Sequence, residues 1–291
     1  MPGESTITVL IAGCGDLGTE TGLLLAARGH RVIGVRRSAD VLPAAFARQS
    51  IDLTHDAPHV PADVDVVIVA LAATERTAEA YRAVYVDGLR HVLEGAASAR
   101  ATPRLLLVSS TAVYGVDDGS WVDERTPTDP NTPTAKVLRE AETIVERYEG
   151  ESSILRLGGV YGPGRTRLID QVRAGDCRVP RGSHMTNRIH RDDAARALVH
   201  LALLRSAPPP VLIGVDDEPA QLGDVLGFLA RSLDVREPPS GRNQGAGAGR
   251  KPTGDRRLAN DLLRSTGFRF RYPSYREGYA AVLAGEGIRH P

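Results

Sequence analysis

The chain has 291 residues, enough for one large domain or two small ones, and its 42% hydrophobic but only 4% aromatic content predicts a core of Leu, Val, Ala and Ile. A formal net charge of +0 argues against a dedicated nucleic-acid binder or an electrostatic membrane binder. The two cysteines, Cys14 and Cys177, make no disulfide framework and no metal pattern, no apolar run approaches a membrane span, and the chain enters a strand within a few residues, so no signal peptide, no metal and a soluble, reducing, cytoplasmic setting are expected.

Residues 7–12 form a short apolar run that ends in three glycines, Gly13, Gly15 and Gly18, and a helical pattern then runs over 17–28. A G-x-G-x-x-G between a strand and a helix is a dinucleotide fingerprint. Gly13 permits a tight turn out of the strand, Gly15 lets a pyrophosphate approach the backbone, and Gly18 lets the helix pack close. The helix start, Asp16 and Leu17 included, then faces the phosphates with free N–H groups. The alternative is a glycine-rich turn with no ligand.

A second strand is predicted over 31–35, and its end is where the adenosine ribose is read. An Asp or Glu there would accept from the 2′-hydroxyl of NAD. The chain instead has Arg36, Arg37 and Ser38, which suit a 2′-phosphate, so NADP is expected over NAD, against the alternative of a solvated basic turn. A helix over 39–48 is expected next, then a third strand end at Ile51, Asp52 and Leu53, with Asp52 placed to meet the adenine amino group. Residues 63–71 read as a strand covered on both faces, and Ala70, Leu71 and Ala72 at its end leave room for a cofactor. A helix over 75–99 and a strand over 104–109 continue the alternation, which predicts an α/β, doubly wound parallel sheet.

Beyond this strand the chain reads S-S-T-A-V-Y-G from Ser109, then L-R-L-G-G-V-Y-G-P-G-R from Leu155, N-R-I-H-R-D-D-A-A-R-A-L from Asn187 and G-F-R-F-R-Y-P-S-Y-R-E-G-Y from Gly267. Four such motifs in this order resemble the extended and atypical branches of the short-chain dehydrogenase/reductase family, the NAD-dependent epimerase/dehydratases. The resemblance covers nearly the whole chain. It implies a Rossmann domain over 1–160 completed by segments near 187–216, and a smaller substrate lobe over 161–186 and 217–291. It adds Gly159 and Val160 to the cofactor site, and it implies a small-molecule substrate and a possible homodimer through the helices at 75–99 and 134–148.

The family's chemistry uses a Tyr and a Lys in Y-x-x-x-K with a hydroxyl residue on the fifth strand. A phenol of pKa about 10 needs a nearby cation to work at neutral pH. Ser110 matches the hydroxyl, but the tyrosine is missing. With Pro130, Pro133 and Glu142 as anchors, Thr134 takes its place and Leu138 that of the lysine; if Lys136 sets the register, Thr132 does. The first register is preferred, with Lys136 reaching the ribose from one turn away. Tyr114 and Tyr161 are candidate substitutes, each with packing as the alternative. His190 is a candidate proton shuttle or an anchor of the lobe junction, with Asp192 or Asp193 capping the helix that follows. Arg165 is a candidate contact for a substrate or cofactor anion.

Later segments read as a helix over 192–204, a strand over 211–215, an amphipathic helix over 221–233, a Pro/Gly-rich stretch over 237–254 and closing helices over 257–265 and 275–283. The Pro/Gly-rich stretch is either a lid or a surface loop. The leading expectation is an NADP-preferring oxidoreductase acting on a small carbonyl or alcohol. The alternatives are a non-catalytic NADP sensor, favoured by the missing tyrosine, and a nucleotide-sugar epimerase or dehydratase.

Overall fold

The computed structural model describes residues 5–241 and 254–291. Strand β1 (Thr8–Ala12) is buried along its whole length. Side chains alternate across a strand, so Val9 and Ile11 enter one helical layer while Leu10 and Ala12 enter the other. Each fully buried Val, Leu or Ile contributes about 1.5–3 kcal/mol, which is why such two-sided apolar runs choose the centre of a parallel sheet.

The chain then supplies α1 (Asp16–Ala26), β2 (Arg31–Arg36), β3 (Ala47–Ser50), β4 (Val66–Val69), α2 (Ala78–Tyr81), a π-helical turn at Arg82–Asp87, α3 (Gly88–Ser98) and β5 (Arg104–Ser110). It continues with β6 (Trp121–Val122), α4 (Pro133–Glu146), β7 (Ser152–Leu157), β8 (Gly159–Tyr161), α5 (Arg167–Ala174), β9 (Met185–Thr186), β10 (Arg188–His190) and α6 (Arg191–Leu203). The last elements are β11 (Val211–Gly214), β12 (Ala220–Gln221), α7 (Leu222–Ser232), β13 (Arg257–Leu258), α8 (Asp261–Ser265) and α9 (Tyr275–Leu283). Seven strands form one sheet in the order β3-β2-β1-β4-β5-β7-β11, every pair parallel. The order reverses direction at β1, and in such sheets ligands bind outside the carboxyl ends at that point.

One face of the sheet is covered by Leu25 of α1 and Ala194, Leu198 and Leu201 of α6, the other by Leu89 and Val92 of α3 and Val137, Ala141 and Val145 of α4. A separate core of Ile169, Val172, Val225, Leu229, Tyr275 and Tyr279 joins α5, α7 and α9. Leu263 of α8 and Phe268 pack into the sheet's own core instead. No helix among the described residues is long and apolar enough to cross a membrane, and among them no group of His, Cys, Asp and Glu could hold a metal ion.

Three sequence expectations fail locally. No helix forms over 39–48: Ala39–Val41 is a single 3-10 turn, and the strand falls at Ala47–Ser50, ahead of the expected 51–53. Pro43 cannot sit inside a helix, and Leu42 and Phe46 fold back over Gly34 and Gly22, burying both side chains. The helix expected over 257–265 is split, because Arg257–Leu258 pairs with Trp121–Val122 before α8 begins. The long helix at 75–99 is interrupted by the π turn. Of the Pro/Gly-rich stretch, residues 242–253 lie outside the described residues.

Candidate functional site

A cavity of about 740 Å³ opens at the carboxyl ends of the strands where the sheet order reverses. Gly13, Gly15, Asp16 and Leu17 form its floor at the end of β1. Gly13 has φ +81, and a Cβ there would stand 2.8 Å from the Ala70 carbonyl oxygen, so only glycine makes this turn. Gly15 differs: nothing stands within 4 Å of where its Cβ would be, so the space beside its backbone is open. Gly15 also caps α1 with no side-chain hydrogen bond, which leaves the helix's first N–H groups to an anionic ligand. Gly18 lies outside the cavity, against Ile11 and the Gly13 carbonyl, where it seats the helix on the strand.

Arg36, Arg37 and Ser38 line the same cavity at the end of β2, facing Asp52 and Leu53. The Thr54 hydroxyl and N–H both donate to Asp52 Oδ1, at 2.7 and 3.0 Å, and these bonds hold the carboxyl below its ordinary pKa. Arg36 donates to the Pro291 carbonyl at 2.8 Å. Ala70, Leu71 and Ala72 line the wall after β4.

On the far side stand Ser109 and Ser110 at the end of β5, with Leu157, Gly158 and Val160. Ser110 Oγ accepts from the Ala112 N–H at 3.2 Å, which leaves its own proton unspent on that bond. Ser109 instead donates to Glu142 at 2.7 Å, inside a buried network that includes Arg156 and Tyr114. Gly159 is exposed and not part of the cavity lining.

Several candidates stand away from the cavity lining. Tyr114 is 1% exposed, and its phenol oxygen accepts from Arg156 at 2.8 Å; burial pushes its pKa up. Lys136 is exposed on α4. Tyr161 is buried with its ring 4.4 Å from that of Tyr279, and burial drives its pKa far above the ordinary range. His190 is sealed between Tyr161 and Tyr272, with ring centroids at 5.4 and 4.1 Å, and burial lowers its pKa. It is His190, rather than Asp192 or Asp193, that caps α6: its Nδ1 accepts from the Asp192 N–H at 3.2 Å. Asp193 is turned the other way and accepts from the N–H groups of Arg271 and Tyr272. Arg165 does line the cavity, and it donates to Asp16 at 2.8 Å, a carboxylate that Arg191 also holds at 2.9 Å.

The segment expected to carry the tyrosine and lysine pair is the start of α4. Thr132 caps α4 and Pro133 opens it, so Thr134 lies half-buried in the first turn. Leu138 is buried with Val113, Tyr114, Val122, Ile213, Val215 and Leu258. One residue that neither motif nor spacing marked lines the cavity: Tyr85, on the π turn. Burial raises the pKa of its phenol, and its side chain packs against the cluster containing Val113 and Leu138. No sequence signal marks it, because spacing rules do not tell where a π turn aims a side chain.

The model of the NAD dependent epimerase/dehydratase family matches residues 9–214. Protein YeeZ of Escherichia coli (strain K12) is 33% identical over 279 residues, covering 91% of this chain and 96% of that protein. The 3-diazoavenalumate denitrifying reductase of a Streptomyces species is 31% identical over 305 residues, covering 93% of this chain and 98% of the reductase. A solved structure from Methylobacillus flagellatus, assigned to the NAD-dependent epimerase/dehydratases, superposes with a TM-score of 0.79 at 34% identity, covering 97% of this chain and 99% of that one. With the doubly wound sheet, the glycine turn and these matches in agreement, the chain belongs to the NAD-dependent epimerase/dehydratase family.

Proposed function

We propose that the chain is an NADP(H)-dependent reductase of a small carbonyl compound. One observation carries this reading: Arg36, Arg37 and Ser38 share a single cavity with the glycine turn and with Ser110. Gly15 and the N–H groups of Asp16 and Leu17 would hold the pyrophosphate, Arg36 and Arg37 the 2′-phosphate, and Asp52 the adenine amino group. When bound, the cofactor supplies a hydride. Ser110 would orient the substrate oxygen through its free hydroxyl proton. The reductase name of the Streptomyces relative supports this reaction type over epimerisation. The separate core of α5, α7 and α9 supports a substrate lobe beside the cofactor domain, roughly over 161–186 and 217–291.

The test is a pair of titrations, NADPH and NADH, followed by NADPH oxidation against a panel of aldehydes and ketones. Tighter binding of NADPH and turnover of at least one carbonyl are expected. Equal affinity for both cofactors sinks the NADP assignment. A second reading, an NADP-binding sensor, is favoured by one observation: Thr134 and Leu138 stand where the catalytic pair is expected. NADPH binding without turnover of any carbonyl selects it.

A further inference from the structure

We propose that Tyr85 is the group that delivers the proton to the substrate oxygen, in place of the phenol absent at Thr134. The inference rests on the reductase reading above. Tyr85 is the one tyrosine among the described residues lining the cavity, which Ser110 also lines. Its side chain packs against a cluster that includes Val113, in the turn that Ser110 caps, and Leu138, on the helix that carries Thr134. In this assignment the phenol and Ser110, two lining groups of one cleft, act on the same substrate oxygen.

The surroundings fit proton donation. The Ala73 backbone acts to lower the phenol's pKa, as a nearby N–H does. Burial outweighs this and raises the pKa, which keeps the phenol protonated at neutral pH; Arg76 nearby favours the phenolate left after transfer. The other acids of the cavity are already engaged, Asp16 by Arg165 and Arg191 and Asp52 by Thr54. Tyr85 sits in a π turn, a distortion that recurs at functional sites because one extra residue per turn re-aims a side chain. Arg82 pins that turn to α4 through a two-pronged pair with Glu140, at 2.6 and 2.7 Å.

The step balances as follows. The carbonyl carbon gains a hydride from the reduced nicotinamide dinucleotide, its π pair moves to oxygen, and that oxygen takes the Tyr85 proton. The Tyr85 phenolate then regains a proton from water at the open mouth of the cleft.

Tyr85→Phe keeps the ring and its packing, so it separates chemistry from folding. NADPH affinity is expected within about twofold of the wild type, while carbonyl-dependent NADPH oxidation falls by about 100-fold or more, the usual range for a lost general acid. A second measurement needs no turnover and no variant. Peroxynitrite nitration of the unsubstituted protein, a radical reaction that needs no phenolate, read residue by residue by mass spectrometry, should mark Tyr85, and NADP+ should suppress that mark while leaving Tyr81 unchanged. Turnover that survives Tyr85→Phe within threefold, or nitration of Tyr85 indifferent to NADP+, overturns the assignment of Tyr85 alone. NADPH binding with no turnover of any carbonyl by the wild type overturns the reductase reading, and the proton-donor role falls with it.

Discussion

Glu142 holds Arg156 by two parallel hydrogen bonds, Nε to Oε1 at 2.9 Å and Nη2 to Oε2 at 2.8 Å, with the two side chains 0% and 4% exposed. The pair ties α4 to β7 beside Ser109, because Glu142 also accepts from Ser109 and Arg156 also donates to Tyr114. A buried ion pair gains little over apolar packing, but breaking it strands a charge. Glu142→Ala is therefore expected to cost about 3–5 kcal/mol in urea denaturation, since Arg156 keeps its charge and loses both acceptors. A loss below about 1 kcal/mol would show that water replaces the carboxylate, contrary to the sealed geometry.

Two neighbouring glycines separate stability from ligand binding. Gly13→Ala forces a side chain to φ +81 and against the Ala70 carbonyl, so it is expected to destabilise by about 2 kcal/mol or more. Gly15 has an ordinary φ of −89 and empty space beside it. Gly15→Val should leave the melting temperature nearly unchanged while weakening dinucleotide binding by about tenfold or more, because its side chain fills the approach to the helix N-terminus. Calorimetry and NADPH fluorescence on the two variants decide this, and parallel behaviour of the two would refute it.

On the proposed NADP reading, the charge at the end of β2 selects the cofactor. Arg37→Ala is expected to weaken NADPH binding by about tenfold and Arg36→Asp by about 100-fold, with NADH affinity changed less than about threefold. Arg36 must first release the Pro291 carbonyl, which lowers the net gain from its phosphate contact. Raising salt should weaken NADPH more than NADH, because a 2′-phosphate adds two charges that salt screens. An equal loss for both cofactors in Arg36→Asp would mean that the arginines support the fold rather than read the phosphate.

Much of this architecture was legible because its signals are local and redundant. The apolar runs at β1, β4 and β5 alternate with amphipathic stretches, and α9 lies over 275–283 as expected. The segment 39–50 was misread because Leu42 and Phe46 mimic helical spacing, while their burial over Gly22 and Gly34 depends on partners distant in sequence. The cap of α6 was misread for a similar reason: two aspartates follow His190, and only the tertiary pull of Arg271 and Tyr272 on Asp193 leaves the imidazole to do it. Tyr85 was invisible because no spacing rule aims a π turn. Arg165 reads as a contact for a ligand anion, and its pairing with Asp16 is hidden because the two lie 149 residues apart.

Asp216 gives a pH signature of known sign. It is 1% exposed, its Oδ2 has no hydrogen-bond partner, and burial raises its pKa well above the ordinary value despite Arg188 nearby. A folded pKa above the unfolded one means that its contribution is complete below about pH 4, the unfolded value, and is lost as pH rises through the folded value. Asp216→Asn cannot ionise, so its melting temperature should gain on the wild type as pH rises from about 4 to 7, at roughly 2–4 °C for each kcal/mol. A constant difference across that range would show that Asp216 is ionised in the folded state at every pH tested.

A tyrosine and a lysine at Thr134 and Leu138, where the family's catalytic pair is expected, would differ in what they cost, and that asymmetry can be measured. Thr134 is half-buried in the first turn of α4, so Thr134→Tyr should cost within about 1 kcal/mol. Leu138 is 7% exposed among Val113, Val122, Ile213, Val215 and Leu258, none of which can pair with an ammonium. Leu138→Lys should therefore cost about 3 kcal/mol or more and lower the melting temperature sharply. Thr134→Tyr alone, without that cation, should raise NADPH oxidation by less than about threefold in the wild type and fail to rescue Tyr85→Phe. Full rescue by Thr134→Tyr would mean that a phenol on α4 needs no lysine here, and that Leu138 took the lysine's place at no chemical cost.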